Sequence, residues 1–273
     1  MAGSPHETRR AIAPDGTGIG YSLHPGAPGA PRVALIHSLA LDRHFWDAVA
    51  EEADDRLTLL ALDARGHGAS ARPPGPYTTD LMADDVAAVL DEAGWDRAII
   101  AGCSMGGSIA LAFAARHPGR TAGLVAMDTT DWYGPDAPAA WSQRAETARQ
   151  QGMAALIPFQ RDRWLSPAFL ASNPQVQARQ EAVFVANDVA AYAASCAMLG
   201  TMDNRAATAT IRAPAVILVG EQDYATPPAM AEAVAARIPG ATFRILEGAR
   251  HLSPLERPAE IVAAILEVAG RSA

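Results

Sequence analysis

The sequence predicts an α/β protein, a mostly parallel sheet with helices on both faces and a helical lid inserted late in the chain. Three observations predict it. Short β-rich apolar runs alternate with helical stretches along the 273 residues, the order that builds a sheet covered by its own crossovers. Short buried runs in that alternation mean a mostly parallel sheet covered on both faces. One long stretch, 131–212, breaks the rhythm with helical patterns, tryptophans and prolines but no strand-like run.

The elements follow in order. VALIH at 33–37 and LTLLALD at 57–63 read as strands, the second closed by the turn ARGHGAS. HPGAPGAP at 24–31 reads as a hairpin loop. TTDLMADDVAAVLDEAG sets Leu81, Val86, Val89 and Leu90 at helical spacing behind Thr78 or Thr79 as cap, with Gly94 as its stop. AIIAG at 98–102 is the next strand, and MGGSIALAFAARHPGR is an Ala-rich helix stopped by Pro118 and Gly119. Strands LVAMD at 124–128, AVILVG at 215–220 and TFRILEG at 242–248 follow, then a last helix from about Pro258 to Val268. An unstructured loop as long as 131–212 is improbable in a compact domain. The expectation is therefore one core domain, 1–130 and 213–273, with a lid subdomain at 131–212 over the strand ends, where such sheets gather their chemistry.

Composition excludes several functions. All 22 basic residues are Arg against 30 acidic ones, for a net charge of -8, so a nucleic-acid partner lacks the basic surface it needs. With no lysine, neither a pyridoxal phosphate Schiff base nor a GK[ST] phosphate loop can be written. Cys103 and Cys196 are too few for a disulfide framework or a metal cluster, which predicts a reduced, cytoplasmic setting. MAGSPHETRR has no apolar core of signal-peptide length, and no run approaches a membrane span, so no membrane partner is expected.

The informative stretch is AGCSMGGSIA at 101–110. Here a strand runs straight into a helix, with Ser104 in the turn between them in the pattern Gly-x-Ser-x-Gly. So sharp a turn strains the serine and brings two backbones together at the positions two before and two after it, which Gly102 and Gly106 occupy. The hydroxyl is then exposed above the sheet beside a helix N-terminus. A serine needs a base and an orienting acid to act as nucleophile, and in this architecture they follow as acid, then histidine. Asp223 in VGEQDYATPP and His251 in EGARHLSPLERP each follow a strand. Asp128, at the end of LVAMD, is the competing acid. His6 and His24 fall in a looped N-terminal part, His44 and His117 in helical contexts, and His67 in a turn. His37 ends a strand near the site but precedes the serine, which suits a structural or oxyanion-loop role. Cys103 sits one residue off the apex and reads as packing. The oxyanion donors are expected to be the N–H groups of Met105 and of Leu39, in HSLA at 37–40.

These residues resemble a family. HSLALDRHFWD, DARGHGAS, GCSMGGSIA, the lid pieces AWSQR, GMAAL and DRWLSPAF, AASCAMLGTMD, EQDYATPPAMA and ARHLSPLERP look like the α/β-hydrolase superfamily, and within it the 3-oxoadipate enol-lactonases of aromatic-compound degradation. The likeness runs from about residue 10 to 265, with Ala40 where the family usually has Gly. It implies a serine hydrolase that opens a small carboxylated lactone through an acyl-enzyme, without metal or organic cofactor. The substrate carboxylate calls for an arginine, and the family-like positions are Arg144 and Arg163, beside Arg149, Arg161 and Arg179 elsewhere in the lid. Trp141 and Trp164 suit both lid core and pocket wall. Two alternatives stay open: a broader carboxylesterase or carbon–carbon bond hydrolase of ring-cleavage products, and an inactive small-molecule receptor. Association into a homo-oligomer is also left open.

Overall fold

The computed structural model describes residues 7–272. Its first two strands, β1 (Arg9–Ile12) and β2 (Gly18–His24), form an antiparallel hairpin that the sequence reading did not contain. Its turn was nonetheless spelled out: Pro14-Asp15-Gly16 places Gly16 at φ +85, and Asp15 accepts from the N–H of Thr17. The expected hairpin at 24–31 is corrected. That segment joins β2 to β3 (Arg32–Ile36), and β4 (Thr58–Leu62) lies between those two strands. His24 ends a strand rather than lying in a loop, and His6 is outside the described residues.

Strands β5 (Ala98–Cys103), β6 (Thr121–Met127), β7 (Ala215–Gly220) and β8 (Thr242–Leu246) complete a single sheet in the order β1-β2-β4-β3-β5-β6-β7-β8. β2 runs antiparallel to both of its neighbours, β1 and β4, and the other strand pairs described are parallel. β3, β5 and β7 are buried almost end to end, which is why they read as unbroken apolar runs.

Helices cover both faces. On one, α1 (Asp47–Ala53) packs against the C-terminal helix at Pro258–Arg271. On the other, α2 (Thr79–Glu92) packs against α3 (Met105–Arg116). Thr78 caps α2 by accepting from the N–H of Leu81 at 3.0 Å, and Gly94 follows its end at φ +68. Every residue of α3 from Met105 to Ala114 is buried, so its Ala-rich sequence is what lets a helix lie flat between sheet and neighbouring helices.

Between β6 and β7 the chain forms six helices: α4 (Ala137–Gln151), α5 (Ile157–Trp164), α6 (Pro167–Ser172), α7 (Pro174–Val185), α8 (Val189–Thr201) and α9 (Arg205–Thr208). α4 lies along α8, and Trp164, Phe184 and Tyr192 form an edge-to-face aromatic interior. The two ends of this insertion meet at a bridge between Trp132 and Asp203, where the N–H of Asn204 donates to the carbonyl of Asp131 at 2.8 Å. The last three helices are α10 (Pro228–Arg237), α11 (Ser253–Glu256) and α12 (Pro258–Arg271). Among the described residues no single helix is long and apolar enough to cross a membrane.

Candidate active site

Ser104 joins β5 to α3 at φ +55, ψ -119, a conformation that costs a non-glycine residue about 1–3 kcal/mol. The flanking glycines show what imposes it. A Cβ at Gly102 would lie 2.1 Å from the carbonyl oxygen of Gly106, and one at Gly106 would lie 2.1 Å from that of Ile36, at the end of β3. Strand and helix touch at the two positions the motif reserves, and the helix also touches the strand that leads to Leu39. The elbow is tied down by the Ser104 N–H donating to Met127 O (2.9 Å) and by the Thr129 hydroxyl donating to Ser104 O (2.7 Å). Met105 is the first residue of α3, so its N–H has no acceptor within the helix.

The three predicted triad residues converge. Ser104 Oγ lies 2.9 Å from His251 Nε2, and His251 Nδ1 lies 2.8 Å from Asp223 Oδ2. Asp223 is held in turn by the N–H groups of Ala225 and Thr226 on Oδ1, at 2.8 and 2.9 Å, and by the Thr226 hydroxyl on Oδ2 at 2.8 Å. Thr226 is a residue the sequence reading passed over. Burial works against charge on the imidazole, but the charge and hydrogen bond of Asp223 outweigh it and hold His251 above its usual value. Burial likewise opposes charge on Asp223, and His251 with the Thr226 donors overcomes it to hold the carboxyl below its usual range. With Asp223 accepting from Nδ1–H, Nε2 is left bare to accept from the serine hydroxyl.

The competing residues go elsewhere. Asp128 accepts from the N–H groups of Gly220 and Ser253, both at 2.9 Å, rather than from His251. Burial drives the Cys103 thiol well above its ordinary value, which leaves it inert as a nucleophile. His37 accepts from the N–H of Ala64 at 3.0 Å and meets His67 edge-on at 5.2 Å, and burial lowers both imidazoles, that of His67 to about 3. His44 and His117 pair with Asp47 and Asp84 away from the elbow. Cys196 is buried in α8.

A cavity of about 350 Å³ opens over Ser104 and His251, and Leu39, Trp141, Arg144, Arg163 and Trp164 all line it. The two arginines differ from their neighbours. Arg149, Arg161 and Arg179 pair with Glu146, Glu181 and Asp47, whereas among the described residues no carboxylate lies within ion-pair distance of Arg144 or Arg163. Arg144 Nε donates to the Tyr192 hydroxyl at 2.6 Å, with the guanidinium 5.0 Å from the Trp141 ring centre. Arg163 lies 3.8 Å over Phe159. Backbone carbonyls at this end of α5 also grip the histidine loop: the N–H groups of His251 and Leu252 donate to Arg163 O and Trp164 O, at 3.3 and 3.0 Å. Tyr133 is a wall residue the sequence did not disclose, set edge-on to Trp141 at 5.3 Å, its phenol pushed up by burial.

A parallel sheet with a strained serine on a strand-to-helix elbow, a histidine on its hydroxyl and an aspartate behind the histidine defines a serine hydrolase architecture. Residues 31–258 match the family model described as alpha/beta hydrolase fold, and the chain belongs to that family. It is a carboxylic ester hydrolase of the lactonase and esterase kind. It is 29% identical over 233 residues to 3-oxoadipate enol-lactonase 2 of Acinetobacter baylyi, covering 85% of this chain and 86% of that one. The crystal structure of the enol-lactonase from Burkholderia xenovorans superposes with a TM-score of 0.90 at 32% identity, over 96% of this chain and 100% of that one. A thermophilic esterase from Thermogutta terrifontis, solved with malate bound, gives 0.89 at 28% identity, over 97% and 99%.

Proposed function

We propose that the protein opens a small carboxylated lactone of the 3-oxoadipate enol-lactone type through an acyl-enzyme. The observation that carries this reading is Arg144, a guanidinium without a carboxylate partner among the described residues, which shares a cavity with Ser104 and His251. A cation left uncompensated in a half-buried pocket fits an anionic ligand. The names of the similar proteins support the same reading: two are enol-lactonases, and one esterase was solved with a dicarboxylate.

In this mechanism His251 Nε2 takes the hydroxyl proton as Ser104 Oγ attacks the lactone carbonyl. The N–H groups of Leu39 and Met105 hold the tetrahedral oxyanion. Collapse breaks the ring C–O bond, and the proton on His251 passes to the departing enol oxygen, which relaxes to the ketone. A water deprotonated by His251 then attacks the acyl-enzyme, and Ser104 leaves with the proton. Asp223 keeps the imidazole in the required tautomer and stabilises its charged form. Residues 131–212 act as a lid subdomain over the core of 1–130 and 213–273, with Trp141 and Trp164 walling the acyl pocket. Two free buried cysteines suit a reducing cytoplasm.

The test is turnover of 3-oxoadipate enol-lactone beside p-nitrophenyl acetate and butyrate, with Ser104→Ala as control. The expected result is a kcat/KM for the lactone of about 10⁴ to 10⁸ M⁻¹s⁻¹ with the variant inert. Turnover of the simple esters alone would instead mark a broader carboxylesterase.

A further inference from the structure

Asp128 does not hold His251, the role the sequence offered it, yet it is completely buried and held at φ +49, a conformation few non-glycine residues adopt. Its position explains the strain. Asp128 follows β6 in the middle of the sheet, with β5 on one side and β7 on the other. Oδ1 accepts from the N–H of Gly220, the last residue of β7, at 2.9 Å. Oδ2 accepts from the N–H of Ser253, also at 2.9 Å, and lies 3.7 Å from the thiol of Cys103, which donates to it.

Those three partners each lie within three residues of a triad member. Cys103 precedes Ser104, Gly220 is three residues before Asp223, and Ser253 is two after His251. One carboxylate therefore touches every segment that carries a member. The same segments have no slack elsewhere. A Cβ at Gly220 would lie 2.4 Å from Arg250 O, and the N–H of Gln222 donates to Ala249 O at 2.9 Å. A shift at Asp128 is thus passed on to the loops of both Asp223 and His251.

We propose that Asp128 is a positioning residue for catalysis, its carboxyl group clamping the segments that carry Ser104, Asp223 and His251. The proposal rests on these three residues being the catalytic triad. The titratable groups facing Asp128 are Asp223, His251 and Cys103. Burial first, and then the charge of Asp223, push the Asp128 carboxyl up to about 7, while His251 favours its ionised form. In return, the charge on Asp128 helps to hold His251 high. The imidazolium that forms when Ser104 gives up its proton therefore favours ionisation of Asp128, which adds to the stabilisation that Asp223 supplies.

The experiment compares Asp128→Asn and Asp128→Ala with wild type and with Ser104→Ala, reading kcat, KM and the pH profile of kcat/KM on p-nitrophenyl acetate, beside circular dichroism and thermal melting. Asparagine is isosteric and keeps one acceptor oxygen; alanine leaves both N–H groups without a partner. kcat should fall about 10-fold for asparagine and about 10²-fold for alanine, with little change in KM. The acid limb should move to lower pH, because the ionised fraction of Asp128 that helps to raise His251 is gone. Since a purely architectural residue would lower the melting temperature and leave the pH profile in place, a folded Asp128→Asn with wild-type kcat and acid limb overturns the proposal. Should alanine prevent folding, the asparagine variant carries the test. Full activity in Ser104→Ala would instead bring down the triad reading itself.

Discussion

Replacing Arg144 with glutamine separates substrate binding from chemistry. Nε is committed to the Tyr192 hydroxyl at 2.6 Å, which leaves the two terminal nitrogens for a carboxylate in a forked pair. The guanidinium is held without a protein carboxylate by the rings of Trp141, Phe159 and Tyr192, at 5.0, 5.5 and 6.0 Å. A hydrogen bond to a charged group contributes about 1.5–3 kcal/mol. Because the site is only half buried, one such bond rather than two is the fair measure of the loss. About 2–3 kcal/mol corresponds to about a 30- to 150-fold drop in kcat/KM for the carboxylated lactone. Neutral p-nitrophenyl butyrate, with no carboxylate to lose, should keep its rate within about 3-fold. Arg144→Lys should recover only part of the loss, since it restores the charge but not the fork. Steady-state kinetics on both substrates decide the matter. Equal losses on lactone and ester would show that Arg144 supports the insertion instead, and no loss on either would remove it from the binding site.

Two further outcomes follow from the geometry. Gly106→Ala sets a methyl group 2.1 Å from Ile36 O and 2.7 Å from His37 O, both backbone atoms that cannot swing aside; urea unfolding should show a loss of about 3 kcal/mol or more, with esterase activity nearly abolished, and a variant melting like wild type would mean the elbow has room. Because Asp223 holds His251 above the ordinary imidazole value of about 6.5, and only the neutral imidazole accepts the serine proton, kcat/KM should fall as the pH drops through a midpoint above that value. An acid limb centred below 6.5 would show burial winning over Asp223. The same pair stabilises the fold below the unfolded value of about 6.5, a contribution lost as pH rises through the folded one.

Much of the site was legible because its signals are local. Ser104 is announced by glycines whose absence would produce backbone overlaps, and Asp223 and His251 by their places just after apolar runs. The helical insertion between β6 and β7 was legible from its length, since so long a stretch without strands could not stay unstructured in a compact domain. The hairpin of β1 and β2 escaped because RRAIAP and GIGYSLH carry arginine and glycine where an apolar run was sought. HPGAPGAP looked like a hairpin turn because Pro and Gly mark turns without saying which strands they join. Strand order is a long-range property: β4 inserts between β2 and β3 through pairing that no window of residues displays. Tyr133 escaped for the opposite reason, as its loop has no pattern at all and only the fold turns it towards Trp141. Arg144 and Arg163 stood out from the other arginines of the insertion only once the fold showed no carboxylate beside them among the described residues.

The choice between Asp128 and Asp223 shows how the fold settles what spacing leaves open. Both follow apolar strands and both are buried, so two carboxylates face one imidazole in a medium that resists charge. Their environments drive them apart. Asp223 has two backbone N–H groups, the Thr226 hydroxyl and the imidazole itself as donors, and stays ionised below its usual range. Asp128 has two backbone N–H groups and a weak thiol, and sits near 7. Paired carboxyls pushed to different values take different roles. What tips the balance is the turn after Asp223, where Ala225 and Thr226 fold back onto the carboxylate they follow. That turn is written in the sequence as DYAT, two and three residues beyond the acid, and Asp128 in DTTDW has nothing comparable: its own Thr129 donates instead to the backbone of Ser104. The turn downstream of Asp223 thus gives that carboxyl the donors that keep it ionised, and leaves Asp128 to bridge the segments of Cys103, Gly220 and Ser253.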